Sequence, residues 1–175
     1  CTSECPSNVN MTLLKSELVH ARHQLEGVSL RERMISRVDI LGALGTITPR
    51  IANAVIANKW VRKQIERVLG MTAKRPLPPF ALERFDRWFK HRPTPKKGTR
   101  GKVILWDDTF VRFYEPNVGQ SVVAVLEAAG FEVALAEGRK CCGRPAFSVG
   151  CLDTARAFGL HNVELLKDGT EPIIF

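Results

Sequence analysis

The side chains in this sequence with the widest chemical range are its five cysteines. They form an N-terminal pair, an adjacent pair and a single residue: Cys1, Cys5, Cys141, Cys142 and Cys151. An odd number, an adjacent pair and no recognisable secretory signal argue against a disulfide framework. Metal ligation or redox chemistry in a reducing compartment explains the set better and predicts a cytoplasmic protein.

The adjacent cysteines stand in the run GRKCCGRP, residues 138–145, between a predicted strand and a predicted helix. Both thiols can ligate iron if the backbone turns sharply, which Gly143 permits. The flanking Arg and Lys side chains favour the thiolate, which is the form that ligates a metal. The alternative is a pair of small buried residues in a turn. A CCG run flanked by cations at a strand end favours ligation.

The elements that must position this pair follow from the pattern of residues 103–175. Strand and helix alternate there, in the order KVILWDD, NVGQSVVAVLEAAG, FEVALAE, a further helical stretch and EPIIF. Such alternation predicts a parallel sheet with right-handed crossovers. Open α/β sheets bind ligands at the carboxyl ends of their strands, so we expect Cys141 and Cys142 at that edge. The last strand is the final segment of the sequence, and we expect the rest of the sheet to lie outside it.

Residues 1–92 carry helical patterns instead. Asn10 and Gly27 are typical of the start and end of a first helix, along which apolar residues recur at helical spacing. Residues 48–70 predict one further helix with a buried apolar stripe that includes Ile51 and Val55.

A basic linker is predicted at residues 93–102, where the run KHRPTPKKGTRGK holds prolines, glycines, six Lys or Arg and no acid. A docking patch for an acidic partner or a phosphate is the alternative interpretation. The predicted fold class is α/β, with a helical segment at residues 1–92, this linker, and a partial parallel-sheet domain at residues 103–175.

The N-terminal cysteines lie in CTSECP, a Cys-x3-Cys-Pro pattern. This pattern is the tail of the bacterial ferredoxin run C-x2-C-x2-C-x3-C-P. If Cys1 and Cys5 are its last two ligands, the first two lay upstream, and the sequence is a piece of a longer protein. Residues 1–92 would then be the end of a ferredoxin-like helical domain.

Two stretches together resemble a known family. WDDTFVRFYEPNVGQSVVAVLEAAGFEV and KCCGRPAFSVGCLDTAR are similar to the cysteine-rich CCG domain of iron–sulfur oxidoreductases. That family includes the heterodisulfide reductase B subunit, the anaerobic glycerol-3-phosphate dehydrogenase C subunit, and the iron–sulfur parts of glycolate and D-lactate dehydrogenases. SECPSNVNMTLLKSELVH resembles the segment after the ferredoxin motifs in fusions with an FAD-linked oxidase, the branch that we favour.

The resemblance implies an electron-transfer function. Four-iron four-sulfur clusters would be ligated in part by Cys1, Cys5, Cys141 and Cys142. FAD would lie in a missing domain or partner subunit and oxidise a 2-hydroxy acid. The electron acceptor would be a quinone or a thiol/disulfide, and the isolated segment would be inactive. Thr109 stands where the family commonly has its first cysteine, so one thiolate of the family's ligand set is absent.

The same residues also fit other interpretations. A heterodisulfide-reductase-like unit would act on disulfides, although Thr109 counts against it. A cluster-free basic binding module and an inactive remnant are further alternatives.

The net charge of +8 favours acidic partners, but a solvated basic surface explains it better, so nucleic acid is not expected. No apolar run approaches the roughly 18 residues of a membrane-spanning helix, which leaves peripheral association with the inner face of the membrane open. Asp107 and Asp108 could either act on a substrate or cap the next turn.

Overall fold

A computed structural model describes residue 6, residues 9–93 and residues 98–175. In that part of the chain, six helices precede the sheet: α1 (Met11–Glu26), α2 (Leu30–Ser36), α3 (Val38–Gly45), α4 (Pro49–Ala57), α5 (Lys59–Leu69) and α6 (Phe85–His91). The sheet region contains β1 (Lys102–Leu105), α7 (Thr109–Phe113), α8 (Pro116–Ala128), β2 (Glu132–Leu135), α9 (Arg144–Ser148), α10 (Leu152–Leu166) and β3 (Ile173–Ile174). The predicted α/β class is confirmed.

The three strands form one parallel sheet in the order β2-β1-β3. Val103 of β1 aligns with Val133 of β2, and Ile104 aligns with Ile173 of β3. β1 is therefore central, and its carboxyl end lies between those of its neighbours. The segment that leaves β1 is in the position where parallel sheets place their ligand sites.

The core beneath the sheet joins the helical segment to the strands. Its buried side chains come from α6, β1, α8 and β2: Phe85, Val103, Leu105, Val123 and Val133. Phe85 of α6 is fully buried, and Trp88 and Phe89 of the same helix pack against this core. Gly119 of α8 leaves room for the Phe85 ring, because a Cβ atom there would lie 2.6 Å from a ring carbon. The last helix before the linker is thus an integral part of the sheet's core.

The predicted ends of α1 are confirmed, but its regularly spaced apolar residues do not face a core among the described residues. The side chain of Asn10 accepts a hydrogen bond from the Leu13 N–H at 3.1 Å, and Gly27 ends the helix at φ +82°. The apolar residues at helical spacing are exposed, as Leu18 and Leu25 show. α1 contacts α9 and α10 through a different face.

The single helix predicted for residues 48–70 is wrong, because the chain breaks there into α4 and α5. Asn58 is the reason: its side-chain oxygen accepts hydrogen bonds from the N–H groups of Trp60 at 2.9 Å and Val61 at 3.3 Å, which starts a new helix. Ile51 and Val55, predicted to be buried, are exposed.

The predicted basic linker lies partly outside the described residues, since residues 94–97 are not described. The part that is described is held against the turn before β2. The Arg100 N–H donates to the Gly130 carbonyl at 2.9 Å, and a Cβ atom at Gly98 would lie 2.6 Å from the Glu132 nitrogen.

Within the described ranges, no single helix has both the length and the apolar composition needed to cross a membrane. α3 and α4 reach that length and composition only when taken together, and the chain bends by 114° between them.

Replacing Phe85 with alanine tests whether α6 belongs to the sheet's core. We expect Phe85→Ala to lower the free energy of unfolding by about 3–5 kcal/mol, because it leaves a cavity beneath the strands. Leu82→Ala, at an exposed position just before α6, is the matched control and should change it by less than about 0.5 kcal/mol. Urea denaturation measures both, and equal small losses would contradict this packing.

Candidate functional site

The two adjacent cysteines lie in the CCG loop (residues 138–143), which joins β2 to α9. Gly143 ends this loop at φ +85°, a left-handed conformation that glycine adopts without strain. A Cβ atom at this position would also lie 3.0 Å from the Ala155 carbonyl oxygen of α10. The loop therefore packs closely on α10. Both the positive φ and the lack of space for a Cβ atom favour glycine at position 143.

The two thiols have different environments and different protonation states. Cys141 is buried and Cys142 is exposed. The Cys141 thiol donates a hydrogen bond to the Cys142 sulfur, and this bond lowers the pKa of Cys142 to about 6. The Arg144 N–H adds to the lowering, whereas desolvation and the charge of Asp108 oppose it. The same thiol–thiol bond and burial raise the pKa of Cys141. The pair is thus biased towards an exposed thiolate beside a buried thiol.

The lowered pKa of Cys142 has a different main cause from the one that the sequence suggested. Hydrogen bonds to the sulfur are the main causes that lower the pKa of Cys142, and the charges of the flanking cations are not among its largest causes. Arg139, one of those cations, is buried and turned towards Asp107, at 3.0 Å from Nε to Oδ1.

Thr109 lies beside this pair because it closely follows β1, the strand next to β2. Its hydroxyl is close enough to the Cys141 sulfur to oppose the rise in that thiol's pKa. The hydroxyl is buried, and among the described residues it has no hydrogen-bond partner of good geometry. Thr109, which the resemblance assigned to the position of a family cysteine, is therefore next to the CCG loop in space.

A fully buried carboxylate connects the ends of β1 and β2. Asp107 accepts two hydrogen bonds from Arg112 of α7, at 2.6 and 2.8 Å, and one from Arg139 of the CCG loop. Arg139 also donates to the carbonyls of Asp108 at 3.1 Å and Lys140 at 3.3 Å. This network fixes the CCG loop against the start of α7.

The two acidic residues, whose roles the sequence left open, have separate structural contacts. Asp107 is the buried partner of two arginines. Asp108 caps α7, since its side chain accepts a hydrogen bond from the Val111 N–H at 2.8 Å. In the described structure, capping is thus the role of Asp108 alone.

Asn162 of α10 also holds the CCG loop, a role that the sequence patterns did not predict. Its side-chain oxygen accepts from the Lys140 N–H at 2.9 Å. Its amide nitrogen donates to the Cys141 carbonyl at 3.1 Å and to the Lys140 carbonyl at 3.4 Å. The only signal in the sequence is an asparagine in the interior of a predicted helical stretch, where it is a poor helix-forming residue.

Open space adjoins Cys142 on two sides. One cleft of about 640 Å³ is lined by Cys142, Trp106 and Val163 among others. The other, of about 650 Å³, is lined by Cys142, Arg144 and Phe147 among others. The exposed thiolate can therefore be reached by ligand groups or reactants from outside the described chain.

Of the remaining cysteines, the structure describes Cys151 alone. Cys1 and Cys5 lie outside the described residues, so the predicted ferredoxin-type ligands have no described geometry. Cys151 precedes α10 and is partly buried. Over residues 9–93 and 98–175, no group of three or more His, Cys, Asp or Glu side chains is arranged to hold a metal ion.

Comparison with known proteins identifies the region that contains this site. Residues 108–175 match the CCG family, described as a cysteine-rich domain. The cysteine-rich CCG domain expected from the sequence is therefore confirmed for these residues. It begins at Asp108 and includes Thr109, the CCG loop and Asn162.

Curated relatives extend the similarity beyond the CCG domain. The C subunit of the anaerobic glycerol-3-phosphate dehydrogenase of Escherichia coli (strain K12) is 29% identical over 148 residues, which cover 85% of this chain and 37% of that protein. Lactate utilization protein A of Bacillus cytotoxicus is 37% identical over 67 residues, covering 38% of this chain and 28% of that protein. The matched part of the chain thus spans less than two fifths of the length of either relative. No solved structure matches it.

The protonation state of the CCG pair can be tested by alkylation of the apo protein. We expect the rate at which iodoacetamide modifies Cys142 to rise with pH and to inflect near pH 6, as its thiolate forms. Cys141→Ala removes the hydrogen bond that stabilises this thiolate, so the inflection should move up towards the usual thiol range. Peptide mapping by mass spectrometry separates Cys142 from Cys151, which serves as the internal control. An unchanged inflection in Cys141→Ala would contradict the assigned hydrogen bond.

Proposed function

We propose that this chain is the iron–sulfur electron-transfer part of a flavin-dependent dehydrogenase. The CCG match supports an iron–sulfur role. The name of the Escherichia coli relative supports a dehydrogenase that is built from several subunits, and the name of the Bacillus relative supports a role in lactate metabolism. Because the chain covers only part of those relatives, the activity of the whole protein is part of this proposal.

The observation that carries the proposal is the arrangement of Cys141 and Cys142. They are adjacent, one is already biased towards the thiolate, and open space adjoins the exposed sulfur. Thiolate is the form that ligates iron. Two positioned sulfurs fit half of the four thiolates that a four-iron four-sulfur cluster uses. The described residues offer no third thiolate beside them, so the other ligands would come from outside the described part of the chain.

The chain's own residues would prepare this site in three ways. Asn162 and the Asp107–Arg139 ion pair hold the loop that presents both sulfurs. The Arg144 N–H donates to the Cys142 sulfur, and hydrogen bonds of this kind tune the reduction potential of a thiolate-bound centre. The centre itself, when bound, supplies one-electron transfer.

The finer parts of the proposal concern cofactors, partners and location. Cys1 and Cys5 would contribute to a separate ferredoxin-type four-iron four-sulfur cluster. FAD would be bound by another domain or a partner subunit that oxidises a 2-hydroxy acid. The acceptor would be a quinone or a thiol/disulfide, and the protein would be cytoplasmic and peripheral at the inner face of the membrane. The longer protein would have a helical part at residues 1–92, a linker at residues 93–102 and a CCG part at residues 103–175.

A second candidate function is thiol/disulfide redox chemistry at the CCG pair. The observation that favours it is the exposed Cys142 with its lowered pKa, because an accessible thiolate is the nucleophile in thiol–disulfide exchange. The buried Cys141 would then supply the second thiol of the redox pair.

Counting metal on the full-length protein tests the proposal directly. In protein purified without oxygen, we expect Cys141→Ser/Cys142→Ser to lose one cluster signal in EPR spectra and about four irons per chain, because two ligands of one cluster are removed. Cys151→Ser, which also removes a thiol, should retain both. Unchanged iron, sulfide and spectra in the double variant would show that the pair is not a ligand and would leave the thiol/disulfide function as the better account.

A further inference from the structure

A separate cleft with a strong positive charge lies on the helical segment and shares no lining residue with the two clefts beside Cys142. It has a volume of about 470 Å³ and is bordered by α4, α5 and residues 73–79. Its lining contains four cationic side chains and no carboxylate: Lys59, Arg62, Lys63 and Lys74. Apolar residues that include Ile56 and Leu77 form other parts of its wall.

Hydrogen bonds fix the chain that forms this cleft. The Asn53 side chain of α4 donates to the Phe80 carbonyl at 2.9 Å and accepts from the Phe80 N–H at 2.8 Å. Arg62 of α5 donates through Nη2 to the Thr72 carbonyl at 2.8 Å and to the Arg75 carbonyl. Both helices are thereby attached to the irregular segment opposite them, so the cleft exists before any ligand binds.

Arg62 is the buried cation in the wall of this cleft. The residue is only 6% exposed, and its Nη1 atom is buried without a hydrogen-bond partner among the described residues. No ion pair within the described ranges includes any of the four cations. The cleft thus gathers four cations that have no acidic partner among the described residues, and an anion in the cleft would offset their mutual repulsion.

We propose that this cleft binds a phosphate group carried by a molecule with an apolar portion. A phosphate group offers several acceptor oxygens and up to two negative charges, which suits one guanidinium and three ammonium groups better than a single carboxylate does. The apolar wall would contact the rest of the molecule. The source of the phosphate is either a soluble phosphate ester or a phospholipid headgroup. The inference is independent of the iron–sulfur proposal, because it uses none of the same residues.

Binding of phenyl phosphate to the intact protein, measured by calorimetry, tests the inference. The test variant Lys59→Gln/Lys63→Gln/Lys74→Gln removes three exposed cations and keeps Arg62 for its contacts to the irregular segment. The control variant Lys15→Gln/Lys90→Gln/Lys102→Gln removes the same charge at exposed positions outside the cleft. We expect binding at least about tenfold weaker in the test variant, because hydrogen bonds between charged groups are lost. The control variant should bind like the wild type.

Co-sedimentation with phosphatidylcholine vesicles, with and without phosphatidic acid, distinguishes the two sources. Binding of phenyl phosphate without binding of the phosphatidic acid vesicles would indicate a soluble ester, and the reverse would indicate a lipid headgroup. Equal binding by the test and control variants would overturn the inference, since the attraction would then reflect net charge alone. The absence of binding to either probe would also overturn it.

Discussion

The buried carboxylate of Asp107 is the interaction on which the geometry of the CCG site depends. Its charge is fully removed from solvent and is balanced by Arg112 and Arg139. Removing one partner of such a pair typically destabilises a protein by about 3–5 kcal/mol, because a buried charge loses its compensation. The pair also joins two segments that are distant in sequence, the start of α7 and the CCG loop. It is therefore a positional constraint as well as a contribution to stability.

The asymmetry of the two cysteines follows from this constraint. The Asp107–Arg139 pair and the Asn162 amide hold the loop so that Cys141 is covered and Cys142 faces open space. The buried thiol then serves as a hydrogen-bond donor to its exposed neighbour. Arg139 lies too close to Asp107 to act as a free positive charge for the sulfurs, so hydrogen bonds determine which sulfur becomes the thiolate.

Local patterns in the sequence predicted much of this architecture. The alternation of strand and helix after residue 102 indicated the parallel sheet, and the strand-end rule placed Cys141 and Cys142 at its carboxyl edge. The roles of Asp107 and Asn162 could not be predicted, because each depends on a partner far away in sequence. The break at Asn58 was missed because apolar spacing continues across it. Apolar periodicity also overestimated burial, since Leu18 and Ile51 have helical spacing but no described neighbour that covers them.

If Cys141 and Cys142 ligate a metal with Thr109 beside them, as we propose, cobalt binding to the apo protein with Thr109→Cys tests this arrangement most directly. Three sulfurs should bind Co²⁺ more strongly than two, and the thiolate-to-cobalt absorption should rise by about half relative to the wild type. Thr109→Ser, which adds no thiol, should match the wild type. Equal absorption in the cysteine and serine variants would show that residue 109 does not face the same site, and it would contradict the account.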